Sequence, residues 1–194
     1  MKKLNIGFAF CGSFCTLSKA VSALQALKSP EIEITPIFSE IVWNTDTRFY
    51  KALDLREQVE SICGKEIIHD IPSAEPIGPK NLLDAIVICP CTGNTAAKIA
   101  LGITDTSVTM AVKATLRNQK PVVIAVASND ALGAGGGNIG RLHNTKGIYM
   151  VPYRQDDPAG KTTSLVCDFK AVPETLFAAL EGRQLQPVVR ELMK

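Results

Sequence analysis

Ala85-Ile86-Val87-Ile88-Cys89-Pro90-Cys91-Thr92-Gly93-Asn94-Thr95-Ala96-Ala97-Lys98-Ile99-Ala100-Leu101-Gly102 is the stretch on which the fold turns. Residues 85–89 are apolar with no polar face, which predicts a short strand buried on both sides. Residues 90–94 predict a turn. Residues 95–101 predict a helix closed by Gly102. A doubly buried strand that passes at once into a helix is the building unit of a parallel sheet covered by helices.

Working outward, the same alternation continues on both sides. Downstream, 106–117 predicts a helix. Residues 121–127, Pro-Val-Val-Ile-Ala-Val-Ala, carry the strongest buried-strand signal in the chain. A glycine-rich loop at 133–137, a short helix at 138–145 and a last strand at 147–153 follow. A terminal helix at 173–181 has Pro173 in its first turn. Upstream, 3–10 predicts the first strand. Residues 16–27 predict a helix, with Leu17, Ala20, Val21, Leu24 and Leu27 on one face and Thr16 as N-cap. Residues 31–38 predict a second strand, and 47–63 a helix stopped at Gly64. Residues 66–70 predict a short strand, and the proline-rich 72–79 a loop. The expected class is α/β: a three-layer parallel sheet with helices on both faces, in one domain over 1–194.

Composition narrows the function. Twenty-one Lys and Arg against 19 Asp and Glu leave a net charge of +2, which excludes a nucleic-acid binder driven by phosphate contacts. No apolar run reaches the roughly 18 residues that a membrane helix needs. Lys2-Lys3 precedes too short an apolar run for a leader, so a cytoplasmic protein is expected, with its six cysteines as thiols.

Ligands of such sheets lie beyond the carboxyl ends of the strands. The turns in question are 11–15, 39–44, 90–94 and 128–137. Gly12 and Ser13 enter a helix, where free amides attract an anion. Thr92, Asn94 and Thr95 all donate and accept hydrogen bonds at another helix start, where a cap needs only one such residue. That surplus suits a polyol phosphate or the polar edge of a heterocycle. Gly135–Gly140 fits GxGxxG, but too far from a strand for a dinucleotide turn; a mobile loop is expected, with a lid as the functional alternative. Cys11, Cys15, Cys89 and Cys91 lack zinc-ligand spacing and are expected as small buried residues, with no metal. His69 and His143 stand alone in sequence and are expected to be structural.

Residues 90–105 resemble the Pro-Ala-Ser-Ala-Asn-Thr motif of the flavoprotein family, the homo-oligomeric flavin-containing cysteine decarboxylases and flavin prenyltransferases. The match runs through Lys98-Ile99-Ala100, Gly102 and Asp105. Gly12-Ser13 is similar to that family's first phosphate-contacting turn. The resemblance implies a flavodoxin-like fold and bound FMN. It implies contacts from Gly12, Ser13, Thr92, Gly93, Asn94 and Thr95, with Ser39 as a further polar contact. It also implies a homo-oligomer, a trimer or multiple of trimers, with flavin sites completed across its interfaces. There are departures. Thr92 and Gly93 stand where the motif has Ser and Ala. The loop Ser128-Asn129-Asp130-Ala131-Leu132-Gly133 lacks the Met and Trp of the decarboxylases' substrate clamp, which argues against cysteine decarboxylation. No local motif transfers the decarboxylases' catalytic histidine to His69, so the catalytic residues stay open.

Within the family, residues 11–13, 44–49, 74–80, 121–133 and 152–158 are most similar to subunits that make pyridine-2,6-dicarboxylate during sporulation. That likeness implies an oxidoreductase subunit acting on a dihydro or hydroxy-tetrahydro dicarboxylate ring. It implies a nicotinamide-binding A subunit as partner, through which NADP would be supplied. Asn129 and Asp130 then line the site. Lys113, Arg117, Arg141 and Lys146 are candidate cations for the two carboxylates, each also an ordinary surface charge. The alternatives are a stand-alone FMN-dependent decarboxylase or prenyltransferase, a non-catalytic subunit that activates its partner, and a thiol–metal module.

Overall fold

The structure, a computed structural model, describes residues 3–191. Five parallel strands form its centre: β1 (Leu4–Phe10), β2 (Ile32–Phe38), β3 (Ala85–Cys91), β4 (Val122–Ser128) and β5 (Ile148–Met150). Their order is β2-β1-β3-β4-β5. This is the flavodoxin-like winding, in which the chain moves to one side of β1 and then to the other. All seven residues of β3 are buried, as are the first six of β4. Covered on both faces, these strands read as apolar runs and not as alternation. Phe8, Phe10 and Phe38 pack as tilted rings with centroids 5.1 and 5.2 Å apart. Each such buried ring contributes about 2–3 kcal/mol through burial.

Helices cover both faces. α1 (Leu17–Ala26) packs on β1 and β3, beside the C-terminal helix. The opposite face carries α2 (Glu40–Asn44), α3 (Ala52–Cys63), α4 (Ile71–Ala74), α5 (Gly93–Leu101), α6 (Ser107–Arg117) and α7 (Gly136–His143). α8 (Val172–Leu180) lies with α1 against β3, β4 and β5. Gly64 (φ 67°) and Gly102 (φ 71°) close α3 and α5 in the left-handed region, where a side chain is disfavoured. Thr106 starts α6: its hydroxyl accepts from the Thr109 amide while the Thr109 hydroxyl accepts from its own amide, both at 3.1 Å.

Several local expectations are corrected. Residues 47–51 are not helical; Asp46 Oδ1 accepts from the Ala52 amide at 2.8 Å and delays the start of α3. The expected turn at 39–44 holds α2 instead. The strand at 66–70 reduces to one bridge, Ile37 to Ile68. The proline-rich loop contains α4 and a 3-10 turn over Glu75–Ile77. Pro72 and Pro76 sit where a missing N–H costs nothing, and Asp70 caps the Ser73 amide at 2.8 Å. β3 runs on through Pro90 to Cys91, with a register shift after Ile88, and α5 begins at Gly93. The GxGxxG segment is no mobile loop: α7 begins at Gly136 and packs on α5. Thr16 precedes α1, but its hydroxyl donates to the Ser13 carbonyl at 2.8 Å and does not cap.

The largest correction concerns the sheet, which is mixed. Residues 147–153 are not one strand. Pro152 has no N–H to extend the ladder beyond Val151, which still donates to Ile124 O at 2.9 Å. The outer half of the β4 edge is therefore left open. Two short strands, β6 (Tyr153–Arg154) and β7 (Leu165–Cys167), close it as an antiparallel hairpin through Ala127–Val166 and Ser128–Leu165 pairs.

Candidate functional site

The winding reverses at β1, and the crevice beyond the carboxyl ends of β1 and β3 is the ligand position of an open α/β sheet. A cleft of about 640 Å³ lies there. Its floor is made by Gly12 and Ser13 after β1 and by Thr92, Gly93 and Asn94 after β3. Asn129 and Asp130, after β4, flank it. Seven of the nine residues singled out in the sequence thus meet in one place.

The other two do not line the cleft. Thr95 is buried, its amide held by the capping Thr92 hydroxyl at 3.3 Å and its own hydroxyl 3.2 Å from that oxygen. Ser39 is buried at the start of α2, its amide donating to the Phe10 carbonyl at 3.0 Å. Its hydroxyl is enclosed without a hydrogen-bond partner, a state that costs about 1–3 kcal/mol when nothing fills it.

Close packing dictates the glycine at 93. A Cβ there would lie 2.6 Å from Ser128 Oγ and 2.8 Å from Asp130 Oδ1. Those two atoms are themselves bonded at 2.7 Å. The helix start is thereby pressed against the end of β4, and the backbone of α5 is bare toward the cleft.

The walls are loops. On one side Arg48 and Phe49 face the cleft from the 45–51 segment. On the other, Asp156, Lys161 and Ser164 face it from the connection between β6 and β7. Lys161 Nζ bonds Asp156 Oδ2 at 2.9 Å. The Asp157 carboxylate accepts from the Gly160 amide at 2.9 Å, and Thr163 Oγ1 donates to the Asn129 carbonyl at 2.7 Å. Sequence reasoning assigns no function to these wall residues, although 44–49 and 152–158 are among the stretches of narrowest resemblance. Arg48 beside Phe49, and Lys161 close to two aspartates, are the signals that could have found them.

The candidate cations are corrected. Lys113 and Arg117 lie on α6, Arg141 on α7 and Lys146 just after it, and none lines the cleft. Cys11, Cys89 and Cys91 are fully buried in the core. Burial pushes the Cys11 thiol up to about 11 and those of Cys89 and Cys91 well above their ordinary value. Cys15 instead is exposed and lines the cleft. His69 stacks on Trp43 at 3.8 Å, with Arg56 4.3 Å above the same indole. His143 Nε2 lies 2.9 Å from Tyr153 Oη, and burial holds its pKa below the usual histidine value.

The sequence pattern of the flavoprotein family matches residues 1–170, so the chain belongs to that family. It is 41% identical over 191 residues to the B subunit of dipicolinate synthase from Bacillus subtilis (strain 168), covering 98% of this chain and 96% of that one. It is similar to the crystal structure of the B subunit of dipicolinate synthase from Bacillus halodurans at a TM-score of 0.90 and 42% identity, over 100% of both chains. An FMN-dependent cysteine decarboxylase, SpaF, shares the fold at a TM-score of 0.60 and 22% identity, over 92% of this chain and 97% of that one. Among the described residues, no helix is long and apolar enough to cross a membrane.

Proposed function

We infer that the chain is the flavin-binding B subunit of a dipicolinate synthase. With an A subunit it converts a dihydrodipicolinate or hydroxy-tetrahydrodipicolinate precursor to dipicolinate, pyridine-2,6-dicarboxylate. What carries the reading is the coincidence of two facts. The chain is 41% identical, almost end to end, to a protein of that name, and seven of its nine expected cofactor residues surround one cleft.

The residues fit FMN. The Ser39 hydroxyl is buried without a partner while its amide bonds the last carbonyl of β1, so an anion seated beyond that strand end would give it an acceptor. Gly93 leaves the start of α5 open to close approach, and the dipole of a nine-residue helix favours an anion there. Gly12 and Ser13, Thr92, Asn94 and Ser39 would hold the phosphate and ribityl groups, with Thr95 fixing Thr92. Asn129 and Asp130 would line the space toward the ring. A bound flavin supplies a two-electron acceptor for removal of two hydrogens from the substrate ring. The protein's own part is to position a dianionic ring and to shield it from water. The nicotinamide cofactor, NADP, belongs to the A subunit, and a homo-oligomer of trimeric type completes the site. A cytoplasmic location goes with this role.

The test is the visible absorption of freshly purified protein, with and without added FMN. Flavin bands that persist through gel filtration, and that vanish in Thr92→Ala/Asn94→Ala, are the expected result. A colourless protein that ignores FMN yet still supports its A subunit would replace this reading with a non-catalytic, partner-activating one. Turnover without any A subunit would replace it with a stand-alone enzyme.

A further inference from the structure

We propose that Arg48 is the residue that selects a second carboxylate on the substrate. This rests on the flavin-dependent dicarboxylate reading above. Two cationic side chains line the cleft, Arg48 and Lys161. They differ in one respect. Lys161 is already neutralised by Asp156 at 2.9 Å, while Arg48 makes no ion pair with any carboxylate among the described residues. Its guanidinium instead lies 4.8 Å from the centroid of the neighbouring Phe49 ring, which also faces the cleft. An aromatic face orients a guanidinium without discharging it, and leaves its planar edge free for a bidentate carboxylate.

The loop beneath Arg48 is tied down to an extent that its exposure does not require. Asp46 Oδ1 accepts from the Ala52 amide at 2.8 Å. Thr47 Oγ1 accepts from the amides of Phe49 and Tyr50, each at 3.2 Å, and the Thr47 amide donates to the Tyr50 carbonyl at 2.8 Å. Arg48 sits in the middle of this closed turn, flanked by the residues that make it. The backbone is therefore set before a ligand arrives, so less ordering is needed on binding. With the floor given to the cofactor, a ring bearing one carboxylate can be held beside Asn129, which flanks it. A ring bearing two places the second against the cleft wall, where Arg48 is the cation left unpaired.

The experiment measures two ligands on three proteins, the wild type, Arg48→Gln and Arg48→Lys, in metal-free buffer. Pyridine-2,6-dicarboxylate and pyridine-2-carboxylate are titrated by calorimetry into all three, loaded with FMN. The wild type is expected to prefer the dicarboxylate by about tenfold or more, the scale of one charge-assisted contact. Arg48→Gln brings that preference to within about twofold, and Arg48→Lys restores part of it. An unchanged preference in Arg48→Gln, or no preference in the wild type, overturns the proposal. So does a loss confined to FMN and absent for riboflavin, which would make Arg48 a phosphate ligand. FMN affinity of the wild type, measured separately, tests the flavin reading. If flavin does not bind, the same ligand titrations on the flavin-free protein still decide the role of Arg48.

Discussion

The floor of the cleft and its walls are built by opposite means. The floor is made of strand ends and helix starts, with α5 capped by Thr92, a glycine pressed between two side chains and buried thiols beneath. The walls are loops rich in exposed and charged residues, held by hydrogen bonds within their own turns. A floor of this kind tolerates almost no added atom, because packed interiors have no slack. Walls of this kind tolerate change, because the contacts they lose are solvated ones. Under the flavin reading proposed above, the difference separates the part of the site that would hold a cofactor from the part that would discriminate substrates.

Thiol chemistry should show the contrast most strongly. At pH 8 the Cys11 thiol, pushed up to about 11 by burial, is almost wholly protonated and out of reach, while Cys15 is exposed at the cleft. Mass spectrometry after iodoacetamide should find Cys15 labelled at least about 100-fold faster than Cys11. Because the thiolate is the reactive form, Cys11 labelling rises with pH toward 11 and never falls. Equal labelling of the two would break the contrast between the thiols packed beneath the floor and the exposed one that lines the cleft.

Gly93→Ala comes next. The new Cβ meets Ser128 Oγ, and the overpacking costs about 1–3 kcal/mol. FMN affinity should fall by about 100-fold or more, read by flavin fluorescence, since the bare backbone is lost as well. Retained affinity would mean that the ligand does not approach α5. Thr92→Ala removes a cap worth about 1 kcal/mol and should lower Tm by about 2–4 °C, while Thr92→Ser keeps the cap and restores both Tm and flavin binding. The smallest effect belongs to the wall. Asp156→Asn breaks an exposed ion pair and should change stability by less than about 0.5 kcal/mol in a denaturant titration. A larger loss would mean that the wall is as tightly built as the floor.

The legible parts of the molecule are those where one physical effect dominates. β3 and β4 announce themselves because burial on both faces removes nearly every polar residue from them. The Thr92–Thr95 helix start is legible because it holds more hydrogen-bonding side chains than a cap can use. β6 and β7 are not, being two and three residues long, too short for any periodicity to appear. α4 is hidden by prolines that, at first helical positions, support the helix they seem to forbid. Arg48 and Lys161 are invisible as a pair because 113 residues separate them, and only the cleft brings them together. The cations nominated in their place sit on α6, on α7 and just beyond it, away from the cleft lining.

β4 is shared: its first half pairs with β5, and its second half with a hairpin that no other strand needs. That hairpin carries Asp156, Lys161 and Ser164 between its strands and joins the sheet through two residue pairs, while Tyr153, Leu165 and Cys167 are buried in the core. The connection between its strands is exposed from 156 to 163, and it can be lengthened, shortened or exchanged over generations without reopening the core. Lineages built on this scaffold are thus free to reshape one side of the cleft while the strand ends and helix starts beneath it stay as they are.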